Sequence, residues 1–293
     1  MRINLVVISG ALAWGMLAGV PARAQESAPA VAPAPDITAR IAAAQAAEDA
    51  LRFDQSIPLW VQLAEQGVPD AQVHLGNMYH QGSSGVCRDD ARAVEWLTRA
   101  ADQGSIDAYR NLGEVYDSYN SPRHDPDKAV AWYQKAAELD DAASQVILSQ
   151  KYWNGEGVPR DHVKAIYWLE KAAAHPRPVS IFLAYDLGNI YSDGKDVPPN
   201  EEKAIYWYLK AANGGLTNAQ FKVAEYYEKQ QGFTEAYYWY SLVKAPAAVR
   251  NRMAAKLTPA QLAEVKKRVA DTKFPKADVL PPPATPLTTG CPR

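Results

Sequence analysis

Residues 148–173 read LSQKYWNGEGVPRDHVKAIYWLEKAA. In the second half of this stretch Ala165, Trp168, Leu169, Ala172 and Ala173 fall at offsets 0, 3, 4, 7 and 8, which is one face of an α-helix. The same face returns as Ala93, Trp96, Leu97, Ala100 and Ala101, as Ala129, Trp132, Tyr133, Ala136 and Ala137, and as Ala204, Trp207, Tyr208, Ala211 and Ala212. Looser copies surround Trp60 and Trp239. Trp60, Trp96, Trp132 and Trp168 are each 36 residues apart, and the next steps, to Trp207 and Trp239, are 39 and 32. A recurring interval of this size marks a stacked array of small helical units.

The first half of the stretch recurs as well. Leu75, Gly76 and Tyr79 are matched by Leu112, Gly113 and Tyr116, by Leu148, Ser149 and Tyr152, by Leu187, Gly188 and Tyr191, and by Val223, Ala224 and Tyr227. The small residue after leucine lets a neighbouring helix approach the backbone, and the tyrosine fills the wider gap one turn later. Between the two helices lies a turn written most fully as Gly155, Glu156, Gly157, Val158, Pro159, Arg160 and Asp161. Its glycines supply positive φ, Val158 plugs the hairpin, and Asp161 caps the start of the second helix.

Through LGxxY, GxGV and AxxWLxKAA the chain resembles the Sel1-like repeat family, an α/α relative of tetratricopeptide repeats, over about residues 42 to 245. The resemblance implies an all-α solenoid, a right-handed superhelix of helix hairpins, whose members act as adaptors for protein assemblies, many in bacterial envelopes. It carries no catalytic residue across.

At the start, Arg2 precedes an apolar run from Ile3 to Val20, then Pro21 and the small-x-small set Ala22, Arg23, Ala24 read by signal peptidase. Residues 1–24 are therefore expected to be a signal peptide cleaved after Ala24, giving a periplasmic or secreted protein without stable membrane insertion; an uncleaved anchor is the competing reading. Cleavage removes two arginines and no acids, taking the net charge from −2 to −4, and that mild acidity argues against nucleic acid, which needs a clustered basic surface. The two cysteines, Cys87 and Cys291, leave pairing and independent thiols equally open.

Residues 25–37 are rich in proline and alanine and read as a disordered linker. The array then spans 38–245. It opens on an N-terminal cap pair, Ile41 to Phe53 and Ile57 to Gln66, with Pro58 confined to a first turn, and continues as about five repeats. The extra residues behind the 39-residue step are expected in the join around His175, Pro176, Arg177 and Pro178. Residues 246–272 are expected to be capping helices, Pro246 to Lys256 and a second opened by Thr258 and Pro259 and running to about Asp271; 273–293 is a proline-rich tail.

On the first helices, positions two before, two after and five after the leucine form a second face. It holds Val73, Asn77 and His80; Arg110, Glu114 and Asp117; Val146, Gln150 and Trp153; Tyr185, Asn189 and Ser192; and Phe221, Glu225 and Glu228. In a tetratricopeptide-like arrangement this face lines the concave surface, where a protein or peptide segment lies with Trp153, Tyr185 and Phe221 as anchors. For any one of these residues the ordinary role is solvation or packing on the next helix. The tryptophans at the structural period are expected to be core rather than a ligand cage. The five histidines show no metal-binding spacing, and His124, His162 and His175 are assigned to solvent.

A catalytic reading fares worse. Ser192 with Lys195 and Ser241 with Lys244 match SxxK, but neither SDN nor KTG is present to complete a penicillin-recognising site. The function expected is therefore a non-enzymatic scaffold for protein interaction, in envelope assembly or signalling, with no cofactor or metal; a cell-wall enzyme or muropeptide-binding protein is the alternative.

Overall fold

The computed structural model describes residues 36–83, 85–176 and 178–274. The expected signal peptide, the linker up to residue 35 and the tail from 275 lie outside the described residues, as does Cys291. Cys87 is disulfide-bonded.

Among the described residues the chain is helical throughout. The helices are α1 Ile37–Asp49, α2 Phe53–Glu65, α3 Pro69–Gln81, α4 Asp90–Ala101, α5 Ile106–Asp117, α6 Pro126–Glu138, α7 Ala142–Asn154, α8 His162–Ala174, α9 Pro178–Asp193, α10 Glu201–Asn213, α11 Thr217–Lys229, α12 Phe233–Leu242, α13 Ala247–Ala254 and α14 Pro259–Asp271. From α1 to α13 each packs on its neighbours in sequence, odd on even, which makes an α/α solenoid, and α14 returns to α12. No described helix is long and apolar enough to cross a membrane.

Four of the hairpins close in the same way. Asp89, Asp125, Asp161 and Asn200 cap α4, α6, α8 and α10, each side chain accepting from backbone N–H groups of the first turn. The backbone N–H of each cap also donates to the carbonyl of the preceding repeat tyrosine, Tyr79, Tyr116, Tyr152 or Tyr191. Thus one residue both starts the second helix and ties it back to the first. In the fullest turn, Gly155 ends α7 at φ 77°. Gly157, at φ 70°, lies so close to the Pro126 carbonyl that a Cβ would collide with it.

Within a hairpin, the small residue after leucine meets the side chain that follows the tryptophan. A Cβ on Gly76 would stand 2.5 Å from Leu97 Cγ, and one on Gly113 would stand 2.6 Å from Tyr133 Cδ1. Gly188 faces the Tyr208 ring in the same manner. Leu97, Tyr133 and Tyr208 are buried by this approach, as are the leucines of the first helices and the alanines of the second.

Between hairpins a different contact recurs. Buried Gln72, Gln145 and Gln220, three before the leucine position, each donate from Nε2 to the carbonyl of Ala64, Ala137 or Ala212, at 3.0, 3.2 and 3.1 Å. These alanines are the penultimate residues of α2, α6 and α10, whose last-turn carbonyls have no partner inside the helix. At the α8 to α9 join no glutamine is available, and Lys210 donates from Nζ to the Ala173 carbonyl at 2.7 Å instead.

The tryptophans divide. Trp60, Trp168, Trp207 and Trp239 are buried, whereas Trp96 and Trp132 are half-buried. The half-buried pair lie under cations one turn on: Arg99 is 4.4 Å from the Trp96 ring centre and Lys135 is 3.9 Å from that of Trp132. Lys171 and Lys210 stand over Trp168 and Trp207 at 5.9 and 5.1 Å. The repeat tyrosines carry a second series, Arg92, Lys128, Lys164 and Lys203 over Tyr79, Tyr116, Tyr152 and Tyr191.

Three expectations need correction. The cap helices begin about four residues earlier than expected, so Pro58 lies inside α2 rather than in its first turn; the ring removes one N–H but the helix continues through it. The additional residues of the long step do not all sit in a loop, because α9 has 16 residues against 13 for α7 and α11. The inserted residues lengthen the start of a helix, which keeps their backbone hydrogen-bonded. Third, two of the three loop histidines, His162 and His175, are half-buried rather than solvated, whereas His124 is exposed as expected. His162 stacks on Trp153 at 4.6 Å, His175 Nε2 is 3.1 Å from Gln145 Oε1, and His124 lies 4.7 Å from the Tyr119 ring. Turns and joins of one hairpin abut the next, so a residue in a loop by sequence is beside a helix in space.

At the C-terminal end Thr258 and Gln261 form a reciprocal capping box with Pro259 at the first position of α14. Helix α14 packs on α12, with Val265 buried and Arg268 stacked 3.7 Å from the Tyr238 ring centre.

The two recurring contacts give separate stability tests. Gly113→Ala gains about 0.5–1 kcal/mol of helix propensity but overpacks against Tyr133 at a cost of about 1–3 kcal/mol, so thermal melting should fall below wild type. Ala224→Gly, where a Cβ is already accommodated, should lose about 0.5–1 kcal/mol through propensity alone. Gln220→Leu removes one of two donors to the Ala212 carbonyl, which keeps the Gly215 backbone N–H at 3.0 Å, and should cost about 0.5–1.5 kcal/mol in denaturant unfolding.

Candidate functional site

The face formed by the first helices is built from the residues that the leucine and tyrosine stripe does not use. Much of its polar content is engaged within the protein. His80 Nδ1 lies 2.8 Å from Asp90 Oδ1, and Arg88 Nη2 is 3.0 Å from Asp90 Oδ2. Burial pushes the Asp90 carboxyl up, and hydrogen bonds from Arg88, His80 and Ser121 more than offset it, leaving the group below the ordinary carboxylate range. Arg110 bridges Asp107 on its own helix and Asp141, the cap of α7, at 2.8 Å from the latter. Asp117 pairs with Lys151, whose side chain is only 8% exposed and also reaches Glu156 at 3.1 Å. Glu228 accepts from Arg252 and from the Tyr240 hydroxyl.

The aromatic positions are partly engaged too. Tyr185 packs 5.8 Å from the Tyr208 ring, and Asn189 Oδ1 accepts from the Tyr208 hydroxyl at 2.8 Å. Phe221 is 41% exposed with its ring edge-on to Tyr240. Asn77 is half-buried on α3, while Gln150 and Glu225 are exposed.

Two clefts open along this face. The first, about 240 Å³, lies between α7 and α9 over Leu169 of α8; α7 contributes Val146, Gln150 and Trp153, and α9 contributes Leu183, Asp186 and Ile190. The second, about 200 Å³, lies between α9 and α11 and brings Ser192 and Glu225 together with Tyr208, Lys222 and Lys229. The clefts thus gather Val146, Gln150 and Trp153 in one place and Ser192 and Glu225 in another, while Asn77, His80, Arg110, Glu114 and Asp117 line neither.

Asp186 was not among the sequence candidates, because it stands one before Leu187, off both recognised stripes. It is exposed at its surface, yet burial alone pushes its carboxyl up, and no cation among the described residues pairs with it. Glu114 on α5 behaves similarly: its carboxyl reaches solvent, but burial pushes it up against the weaker opposing pull of Arg110 and His80. A carboxylate that touches water and is still crowded by protein on most sides sits in a groove.

Catalytic geometry is not assembled at either SxxK match. Ser241 Oγ is buried without a hydrogen-bond partner among the described residues, and Lys244 follows the end of α12 at φ 52°. Ser192 is exposed, and Lys195 lies 3.9 Å from Asp193. A nucleophile requires its base within hydrogen-bond reach. Among the described residues no three His, Cys, Asp or Glu side chains are grouped to hold a metal ion.

The Sel1 repeat model matches residues 69–105, 106–141, 142–175, 183–216 and 217–242. The gap between the third and fourth matches falls at the join and at the start of the lengthened α9. No curated protein matches the chain. Among solved structures, a protective antigen of uropathogenic Escherichia coli strains displaying an SLR fold is 26% identical, with a TM-score of 0.54 over 80% of this chain and 56% of that one, so the chain spans little more than half of that antigen. A Sel1 repeat protein from Oxalobacter formigenes is 23% identical, with a TM-score of 0.51 over 80% of this chain and 87% of its own, which shows the same fold. Sel1 repeats generally mediate protein–protein interaction. With five consecutive repeat matches over more than half of its length, the chain belongs to the Sel1 repeat family.

Proposed function

We propose that this protein is a non-catalytic scaffold of the periplasm that holds a segment of a partner protein along the groove of its first helices, in envelope assembly or signalling. The observation that carries the reading is the pair of clefts between α7, α9 and α11, where exposed Gln150, Ser192 and Glu225 lie beside Trp153 and Tyr208. A segment laid across α7, α9 and α11 would meet the two clefts in succession, which suits an extended chain better than a small molecule. Export is supported by the apolar run and the Ala22, Arg23, Ala24 set at the start of the sequence.

Gln150→Lys with Glu225→Lys changes two exposed side chains without touching the hairpin seam. In a pull-down from envelope extract the double variant should retain at least about tenfold less partner than wild type while melting at the same temperature, the size of one hot-spot contact. Equal retention would remove the groove from the account. The intact mass of protein recovered from the periplasmic fraction should correspond to a chain beginning at Gln25, and a chain retaining residues 1–24 in the membrane fraction would overturn the export reading.

A further inference from the structure

The α7–α9 cleft combines features that do not belong together unless something enters it. Its walls are Val146, Trp153, Leu183 and Ile190, its floor is Leu169, and its rim holds Asp186. Asp117, Glu201 and Glu228 are each paired within the fold, with Lys151, Lys229 and Arg252. Asp186 has no such partner among the described residues, although its surroundings disfavour an isolated negative charge. A buried or crowded carboxylate beside apolar walls is costly to leave unmatched, and a cation brought to it recovers that cost.

Trp153 supplies the second half of the argument. Its ring lines the cleft while stacking on His162 at 4.6 Å, so the indole is held in place by a neighbour and needs little ordering when a ligand arrives. An aromatic ring across from a carboxylate, over aliphatic walls, matches the anatomy of a lysine or arginine side chain, whose stem is apolar and whose head is charged. This chain itself sets a cation over the tryptophan of four repeats, with Lys135 over Trp132 at 3.9 Å and Arg99 over Trp96 at 4.4 Å. Trp153 carries no such internal cation among the described residues.

We infer that the α7–α9 cleft is a pocket for one basic side chain of the partner, with the stem between Trp153 and the aliphatic walls and the cationic head on Asp186. The inference rests on the reading of the groove as a protein-binding surface and specifies the partner's chemistry: a segment with a lysine or arginine flanked by apolar residues.

The test uses immobilised mature protein and two short-peptide libraries with randomised apolar flanks, one fixed at arginine in the centre and one at its uncharged isostere citrulline. Arginine peptides should be retained at least tenfold more than citrulline peptides, and Asp186→Asn should erase the difference. In the nitrogen-proton spectrum the Trp153 indole signal should move saturably with a retained arginine peptide. Lost binding in Asp186→Asn is separable from lost folding. Because the folded carboxyl titrates above its unfolded value, its penalty is present at neutral pH and absent in acid below the unfolded value. The variant should therefore melt no lower than wild type at neutral pH, and its advantage should vanish in acid. Equal retention of the two libraries, an arginine preference unchanged in Asp186→Asn, or a Trp153 signal that stays still would each overturn the inference. If partner capture from extract is lost in Gln150→Lys with Glu225→Lys but is unchanged in Asp186→Asn, the groove stands and the basic-side-chain pocket falls; if neither variant affects capture, the groove reading itself fails.

Discussion

The solenoid depends on how closely the two helices of a hairpin can approach at one point, where Gly76, Gly113 or Gly188 takes the side chain of Leu97, Tyr133 or Tyr208. The absence of a Cβ at these positions allows a bulky side chain to lie directly on the facing backbone, and burial of that side chain is the main apolar gain of each unit. Ser149 and Ala224 occupy the corresponding positions of the other two hairpins. The contact therefore tolerates a small side chain, at the expense of a slightly different approach, and is a constraint on size rather than on one residue type.

Stacking obeys a different rule. A second helix ends with carbonyls outside its own ladder; those of Ala64, Ala137 and Ala212 accept from the backbone N–H of Gly67, Asp140 and Gly215 in the turn, and the next hairpin adds a side-chain donor to the same acceptor. Gln72, Gln145 and Gln220 do this for three joins. Where α9 gains its extra turn, Lys210 reaches the Ala173 carbonyl from the following second helix. Burial holds the Lys210 amine below its usual range, which fits an ammonium partly removed from water to serve a backbone acceptor. The array thus absorbs an irregular repeat by changing the donor while keeping the acceptor.

Most of this architecture was legible in the chain because periodic apolar residues report directly on which faces are buried. The leucine and tyrosine stripe, the alanine and tryptophan face, the aspartate caps and the Thr258 start of α14 all follow from local chemistry. The joint glutamines were not legible, since a polar residue at a packed position looks like surface until the neighbouring helix end is known. His162 and His175 escaped for the same reason: His162 is beside Trp153 only because a turn folds back over the first helix. Asp186 escaped because its position matters through the space between α7 and α9, which no single-helix pattern encodes. The extra turn of α9 was misplaced into a loop because Pro176 and Pro178 suggest a break, yet Pro178 stands at the first helical position, where its missing N–H costs nothing.

The cations lying over the repeat aromatics carry a consequence for how copies of this protein meet. Indole rings at a surface ordinarily invite self-association, because two such faces would exclude water between them. Here a guanidinium or ammonium stands above the half-buried Trp96 and Trp132, so a second copy approaching through those rings meets a charged group before it meets the indole. The two rings that reach the surface are thereby covered by charge from their own helices.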